Sequence, residues 1–211
     1  MSFEFFITQI ALAVISIVAN ALSAFSGGGA GLIQLPVLIL FGLPFPVALA
    51  THKLASVALG IGAGLRHAKE KSLTPALSIV ILSFGLPGVC LGSNIVLSIP
   101  DNLAKISLGI LTFCLGLYSK TNPDLGVHRR QSNPSLFRYI AGGLVLFFIG
   151  ILNGSLSSGT GLFVTLWLVR WFGLSYTKSI GYTLLLVGLF WNGTGAFVLG
   201  LNGKIEWTWL P

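Results

Sequence analysis

The sequence predicts an all-α, polytopic membrane protein of about six spanning helices plus two short half or re-entrant helices, built from two internal repeats. Composition is the first reason: 54% of residues are apolar, only 8% are charged and the mean hydropathy is +0.91, whereas soluble domains carry about 25% charge. The second is the spacing of charge, which leaves windows at 5–52, 72–100, 106–119, 139–169 and 179–203 without any; roughly 20 apolar residues make one crossing. The third is Ser-Gly-Gly-Gly-Ala-Gly at 26–31, echoed by Ser-Ser-Gly-Thr-Gly at 157–161. Clustered glycine is a poor helix interior, so both places should break a helix.

Residues 5–25 are long enough to span, and no lysine or arginine precedes them as a signal peptide would require. Beyond the first break, Leu32–Phe41 reaches only about 15 Å as a helix and reads as a half helix. Gly42-Leu43-Pro44-Phe45-Pro46 turns the chain, and a second span follows over 46–65. Arg66-His67-Ala68-Lys69-Glu70-Lys71 reads as a loop. A third helix over 75–97 carries Gly88 and Gly92 at a spacing that lets helices approach closely. Pro100-Asp101-Asn102 starts a fourth that ends near Tyr118. Cys90 and Cys114 fall in apolar windows at different heights of that pair and read as unbridged filler.

The net charge of +7 would suggest nucleic acid in a soluble chain. Here the basic residues gather in 66–71 and 120–138, which the positive-inside rule reads as cytoplasmic loops of a multi-pass protein of the cell membrane. The second half then repeats the first. Gly29-Ala30-Gly31-Leu32 matches Gly159-Thr160-Gly161-Leu162 at an offset of 130, and Gly62-Ala63-Gly64 matches Gly193-Thr194-Gly195 at 131. The chain divides into a first repeat at 1–119, a basic loop at 120–137 and a second repeat at 138–211. Both halves are expected to begin on the cytoplasmic side, which favours parallel repeats.

The breaks are also the candidate binding site. Amides that open a helix after a break attract anions, so Gly27, Gly28, Gly29, Gly31, Gly159, Thr160 and Gly161 are expected around a small anionic substrate. Lys53 is an ionisable group deep in the second span, which needs a cavity or a partner, and a bound anion fits in a window without acids. His52 is a candidate for proton coupling. Gln34, Asn153 and Asn192 are polar groups in apolar windows that suit a substrate path. Three histidines and five acids, without paired carboxylates or a His/Cys cluster, exclude a catalytic metal or acid-base site. Neither a catalytic residue, a cofactor nor a metal is therefore expected.

The run Gly27-Gly28-Gly29-Ala30-Gly31-Leu32-Ile33-Gln34-Leu35-Pro36-Val37-Leu38, then Gly42 and Ala50-Thr51-His52-Lys53-Leu54, resembles the sulfite exporter TauE/SafE family of membrane transporters. The Gly159-Thr160-Gly161 and Gly203-Lys204-Ile205-Glu206-Trp207 elements are similar to it as well. Thr51, within the first motif, joins the candidate substrate contacts. The resemblance implies export of a small anion such as sulfite, an organosulfonate or a related organic acid, by alternating access. Its expected partners are the lipid bilayer, that substrate and another copy of the chain, with no nucleic acid. Members usually continue about two helices past the last element, so the chain reads as C-terminally truncated. The alternative function is a non-transporting scaffold or an inactive remnant of such a carrier.

Overall fold

Half-length helices follow the first and the fifth spanning helix in the computed structural model, which describes residues 3–70, 73–121 and 135–210. The order is α1 (Phe3–Ser26), α2 (Gly31–Leu40), α3 (Phe45–Glu70), α4 (Pro75–Ser98), α5 (Asp101–Thr121), α6 (Leu136–Ser155), α7 (Thr160–Phe172), α8 (Tyr176–Tyr182), a π-helical segment π1 (Thr183–Trp191) and α9 (Asn192–Leu201), closed by a 3₁₀ turn at Trp207–Trp209. Among the described residues six stretches are long and apolar enough to cross a membrane: α1, α3, α4, α5, α6 and the continuous α8-π1-α9. The two short helices, α2 and α7, follow the glycine breaks as expected.

Two stretches differ from the sequence expectation. Arg66–Glu70, expected in a loop, continues α3, because Arg, Ala, Lys and Glu are strong helix formers with no breaker among them. Likewise Lys120 and Thr121 extend α5, and α6 starts at Leu136 under an N-cap in which Ser135 accepts from the Arg138 amide. The remainder of the expected loops, 71–72 and 122–134, lies outside the described residues.

Each half helix folds back along its predecessor. Gln34, Val37 and Leu38 of α2 lie beside Leu12, Ile15 and Ser16 of α1, so the two run antiparallel. In the same way Trp171 Nε1 donates to Arg138 O (2.9 Å) and Trp167 Nε1 to Gly142 O (3.1 Å), which lays α7 back along α6. Trp167 and Trp171 stack at 5.0 Å, with the Arg138 guanidinium 5.6 Å over the Trp171 ring. Arg170 stands in the last turn of α7 and Lys178 in the first turn of α8, so with Arg138 these helix ends carry three basic residues, termed the basic face.

The helices that follow the two hairpins run in opposite directions. A Cβ on Gly195 would meet Lys53, one on Gly60 would meet Leu189, and one on Gly64 would meet Leu185. The descending partners show that α3 and α8-π1-α9 cross antiparallel along their length. These two spans therefore run antiparallel, whereas the sequence expectation is of halves running in parallel. Near the start of α1, Gln9 donates to Thr208 O at 2.7 Å, which ties the first helix to the segment that follows α9. By contrast α4 and α6 are parallel and very close. Gly88 packs on Phe147 O, Gly92 on Ile151 O and Gly154 on Val89 O, each with no room for a Cβ. Small residues give this close van der Waals contact, the main attraction between helices where lipid removes the hydrophobic driving force.

Two apolar clusters result, one around Leu35, Phe45, Leu49, Val96 and Leu199, the other around Ile81, Leu146, Leu168, Tyr182 and Trp191. Buried polar side chains, among them His52, Lys53, Ser56, Asn153, Thr160, Thr165, Thr183 and Asn192, accompany these clusters and converge where the two breaks meet.

Candidate functional site

Helix breaks in a membrane free backbone groups that must find partners or a watery cavity. At the first break, Gly27 (φ 77°), Gly28 (φ 130°) and Gly29 (φ 109°) all take backbone conformations that side chains disfavour. At the second, Ser157 (φ 58°) and Gly159 (φ 70°) do so. The breaks are in direct contact: a Cβ built on Gly28 would stand 2.7 Å from Gly161 Cα. Thr165 of α7 fastens the first break, its hydroxyl donating to Gly27 O (2.7 Å) and pairing with Thr183 Oγ1 of π1 (2.8 Å).

Between the breaks lies a cavity of about 40 Å³, room for roughly three waters at 10–15 Å³ each. Its wall includes Gly28, Gly29, Ala30 and Gly31 at the opening of α2, and Ser157, Thr160 and Gly161 at the opening of α7. His52 and Ser56 of α3, Asn153 of α6, and Thr183, Gly188 and Asn192 of the last span complete its polar side. A helix leaves its first amides without internal acceptors, and those of Ala30, Gly31 and Gly161 donate to no carbonyl among the turn and cap bonds of the described residues. Two positive helix ends thus converge on one small space.

The π1 segment is what brings Asn192 to that space. Positions 183 and 192 are two and a half turns apart at 3.6 residues per turn, which would put them on opposite faces. With the wider winding of a π-helix, about 4.4 residues per turn, nine residues make close to two turns and both side chains share one face. Thr183, Val187, Gly188 and Asn192 accordingly line the cavity together.

Of the residues expected from sequence, Gly28, Gly29, Gly31, His52, Asn153, Thr160, Gly161 and Asn192 meet at the cavity. Gly27, Gly159, Gln34, Thr51 and Lys53 are not on its wall. Gly27 and Gly159 shape the breaks from behind. Thr51 accepts from the Glu206 amide at 3.3 Å. Gln34 Oε1 lies 2.7 Å from His52 Nδ1, while its Nε2 is buried without a partner beside a second hollow of about 10 Å³ that also touches Ser16, Thr51 and His52. Lys53 is fully buried and its ammonium donates to Asn153 O (2.8 Å) and Asn153 Oδ1 (3.0 Å), with no carboxylate partner among the described residues.

Sequence reasoning misses Ser23, Ser56, Ser157 and Thr183 as site residues, because isolated hydroxyls carry little signal in an apolar run. Yet Ser23 and Asn153 stand 130 apart, and His52 and Thr183 stand 131 apart. The offsets of 130 and 131 seen between the sequence motifs are the signal that finds Ser23 and Thr183.

The family model for Sulfite exporter TauE/SafE matches residues 12–211. A probable membrane transporter protein of Haemophilus influenzae is 30% identical over 194 residues, covering 92% of this chain and 74% of the relative. The probable membrane transporter protein YfcA of Escherichia coli K12 is 28% identical over 92% of this chain and 70% of its own length, and ORF9 of a Sinorhizobium species is 26% identical over 93% and 74%. No solved structure matches. With nearly the whole chain matched, and with six apolar spans around a polar cavity, the protein belongs to the sulfite exporter TauE/SafE family of membrane transporters, not to a family of enzymes.

Proposed function

We propose that the protein carries a small oxyanion such as sulfite, an organosulfonate or a related organic acid across the cell membrane, with the cavity between the two helix breaks as its binding site. The observation that carries this reading is the make-up of the wall: two helix N-termini, hydroxyls and carboxamides, without a carboxylate among its residues. Such a wall offers donors and positive potential to an anion and little to a cation. The enclosed volume suits the head group of a small oxyanion.

Residues 1–119 and 138–211 are read as inverted repeats, related by an approximate two-fold axis in the membrane plane. Supporting this, His52 and Thr183 are each the eighth residue of 26-residue spans that run antiparallel. Sites at repeat interfaces built from interrupted helices suit alternating access, in which one half rocks against the other. His52, between the cavity and the hollow beside Gln34, is the candidate for carrying a coupled proton. The basic face is assigned to the cytoplasm, since Arg138, Arg170 and Lys178 sit at helix ends there.

The test is uptake of radiolabelled sulfite into proteoliposomes containing the purified protein. Saturable uptake competed by sulfonates is expected, and Asn192→Asp, which puts a carboxylate on the wall, should abolish it. Uptake no greater than in empty liposomes, or an Asn192→Asp variant that transports normally, overturns the proposal.

A further inference from the structure

Lys53 does not line the cavity, yet two of its donors are spent on one residue that does. We infer that Lys53 is a positioning residue that sets the anion specificity of the site, by orienting the carboxamides of Asn153 and Asn192 so that hydrogen-bond donors face the cavity. The inference rests on the small-anion reading of that cavity.

Donors and acceptors fix each orientation in turn. An ammonium has three donors and no lone pair, so the Asn153 atom it meets at 3.0 Å must be the oxygen. The same ammonium donates to Asn153 O at 2.8 Å, which ties it to the end of α6. With its oxygen held, Asn153 must present its NH₂ the other way, where it donates to Thr160 Oγ1 (2.9 Å) and Asn192 Oδ1 (3.4 Å). Thr160 has already given its only proton to Ser157 O at 2.7 Å and can do nothing but accept.

Asn192 must therefore turn its oxygen toward Asn153. Its own NH₂ then has no acceptor among the described residues, on a side chain that lines the cavity. The orientation started by one ammonium runs through two carboxamides and ends in free donors at the site. A neutral side chain at position 53 would release the Asn153 oxygen: Asn153 then turns over, the Thr160 hydroxyl swings from Ser157 O to donate to it, and Asn192, now offered an acceptor, turns its own oxygen to the cavity, where it repels an anion. The matched position in the second half, Leu184, lies on the cavity wall and supplies no charge.

The experiment is a double-mutant cycle on the purified protein, with sulfite, sulfate, methanesulfonate and acetate as probes and binding read by calorimetry. Lys53→Met and Asn192→Ala should each weaken binding of the preferred probe about tenfold, as loss of a hydrogen bond to a charged group does. Together they should cost no more than either alone, because the second change breaks a chain already broken. Multiplying losses, about a hundredfold in the double variant, would mean that Lys53 acts on the anion or the fold directly, and would overturn the inference. Asn153→Asp gives a second reading if Lys53→Met does not fold. It pairs with Lys53 and draws the Asn192 NH₂ away from the cavity, so binding should be lost while the unfolding midpoint stays at or above that of the unmodified protein. Retained binding in that variant overturns the inference. Failure of the unmodified protein to bind any of the four probes removes the anion site itself, and this inference with it.

Discussion

The two helix breaks have the same backbone role but divide the side-chain work unequally. The first is nearly bare: Gly27, Gly28 and Gly29 hold left-handed or extended positive φ values, and any side chain on Gly28 would enter the backbone of Gly161. The second break carries polar groups, with Asn153 before it and Ser157, Ser158 and Thr160 within it, all buried. One break gives up its side chains so that the other can approach, and the other supplies the hydrogen bonds. The spans that follow differ in the same sense. Regular α3 contributes His52 and Lys53, whereas α8-π1-α9 needs a π segment to present Thr183 and Asn192 on one face.

The sharpest way to break this division is to put a side chain on the bare side. Gly28→Val meets backbone atoms and an unfavourable φ together, so a loss of about 2–6 kcal/mol is expected from strain and overpacking, seen as loss of monodisperse protein and a lowered unfolding midpoint in detergent. Next in size is the winding of π1. Inserting one alanine after Leu185 should turn Asn192 about a quarter turn away from Thr183 and from the cavity, whether the segment then winds as π- or α-helix. One charge-assisted hydrogen bond is then lost, about 1.5–3 kcal/mol, so sulfite binding should fall ten- to hundredfold while membrane insertion persists. The fastening between the breaks is smaller. Thr165→Val keeps the shape but removes the bonds to Gly27 O and Thr183, and should cost about 1–2 kcal/mol in thermal unfolding.

The smallest expected effect separates glycines that packing requires from those it does not. A Cβ added at Gly62 would meet nothing within 4 Å, whereas one added at Gly60 would run into the backbone of Gly188 and Leu189. Gly62→Ala should stabilise α3 by up to about 1 kcal/mol through helix propensity, and Gly60→Ala should destabilise. Equal midpoints for the two variants would show that α3 and π1 do not touch as described.

Much of this architecture is legible from residue order. The six spans, the two half helices and the position of each break follow from partition of apolar stretches into lipid and from the backbone cost of clustered glycine, both of which are sums over neighbouring residues. Six of the thirteen expected site residues, Gly28, Gly29, Gly31, Asn153, Thr160 and Gly161, meet at one cavity for the same reason, since they sit at or beside those breaks, whereas His52 and Asn192 reach it from spans farther along the chain. Direction and pairing do not follow. Charge patterning suggests halves running in parallel, whereas the packed glycines of α3 against π1 and α9 put these two spans antiparallel.

Membrane class, span number and the site of the breaks are thus determined by the sequence alone, because each rests on local free energies that every residue contributes wherever it is packed. The tertiary structure alone decided that Lys53 is engaged by Asn153, 100 residues away, and that Asn192 rotates into line with Thr183. A buried donor must find an acceptor that packing brings within about 3 Å, and no local preference along the chain encodes which one it will be.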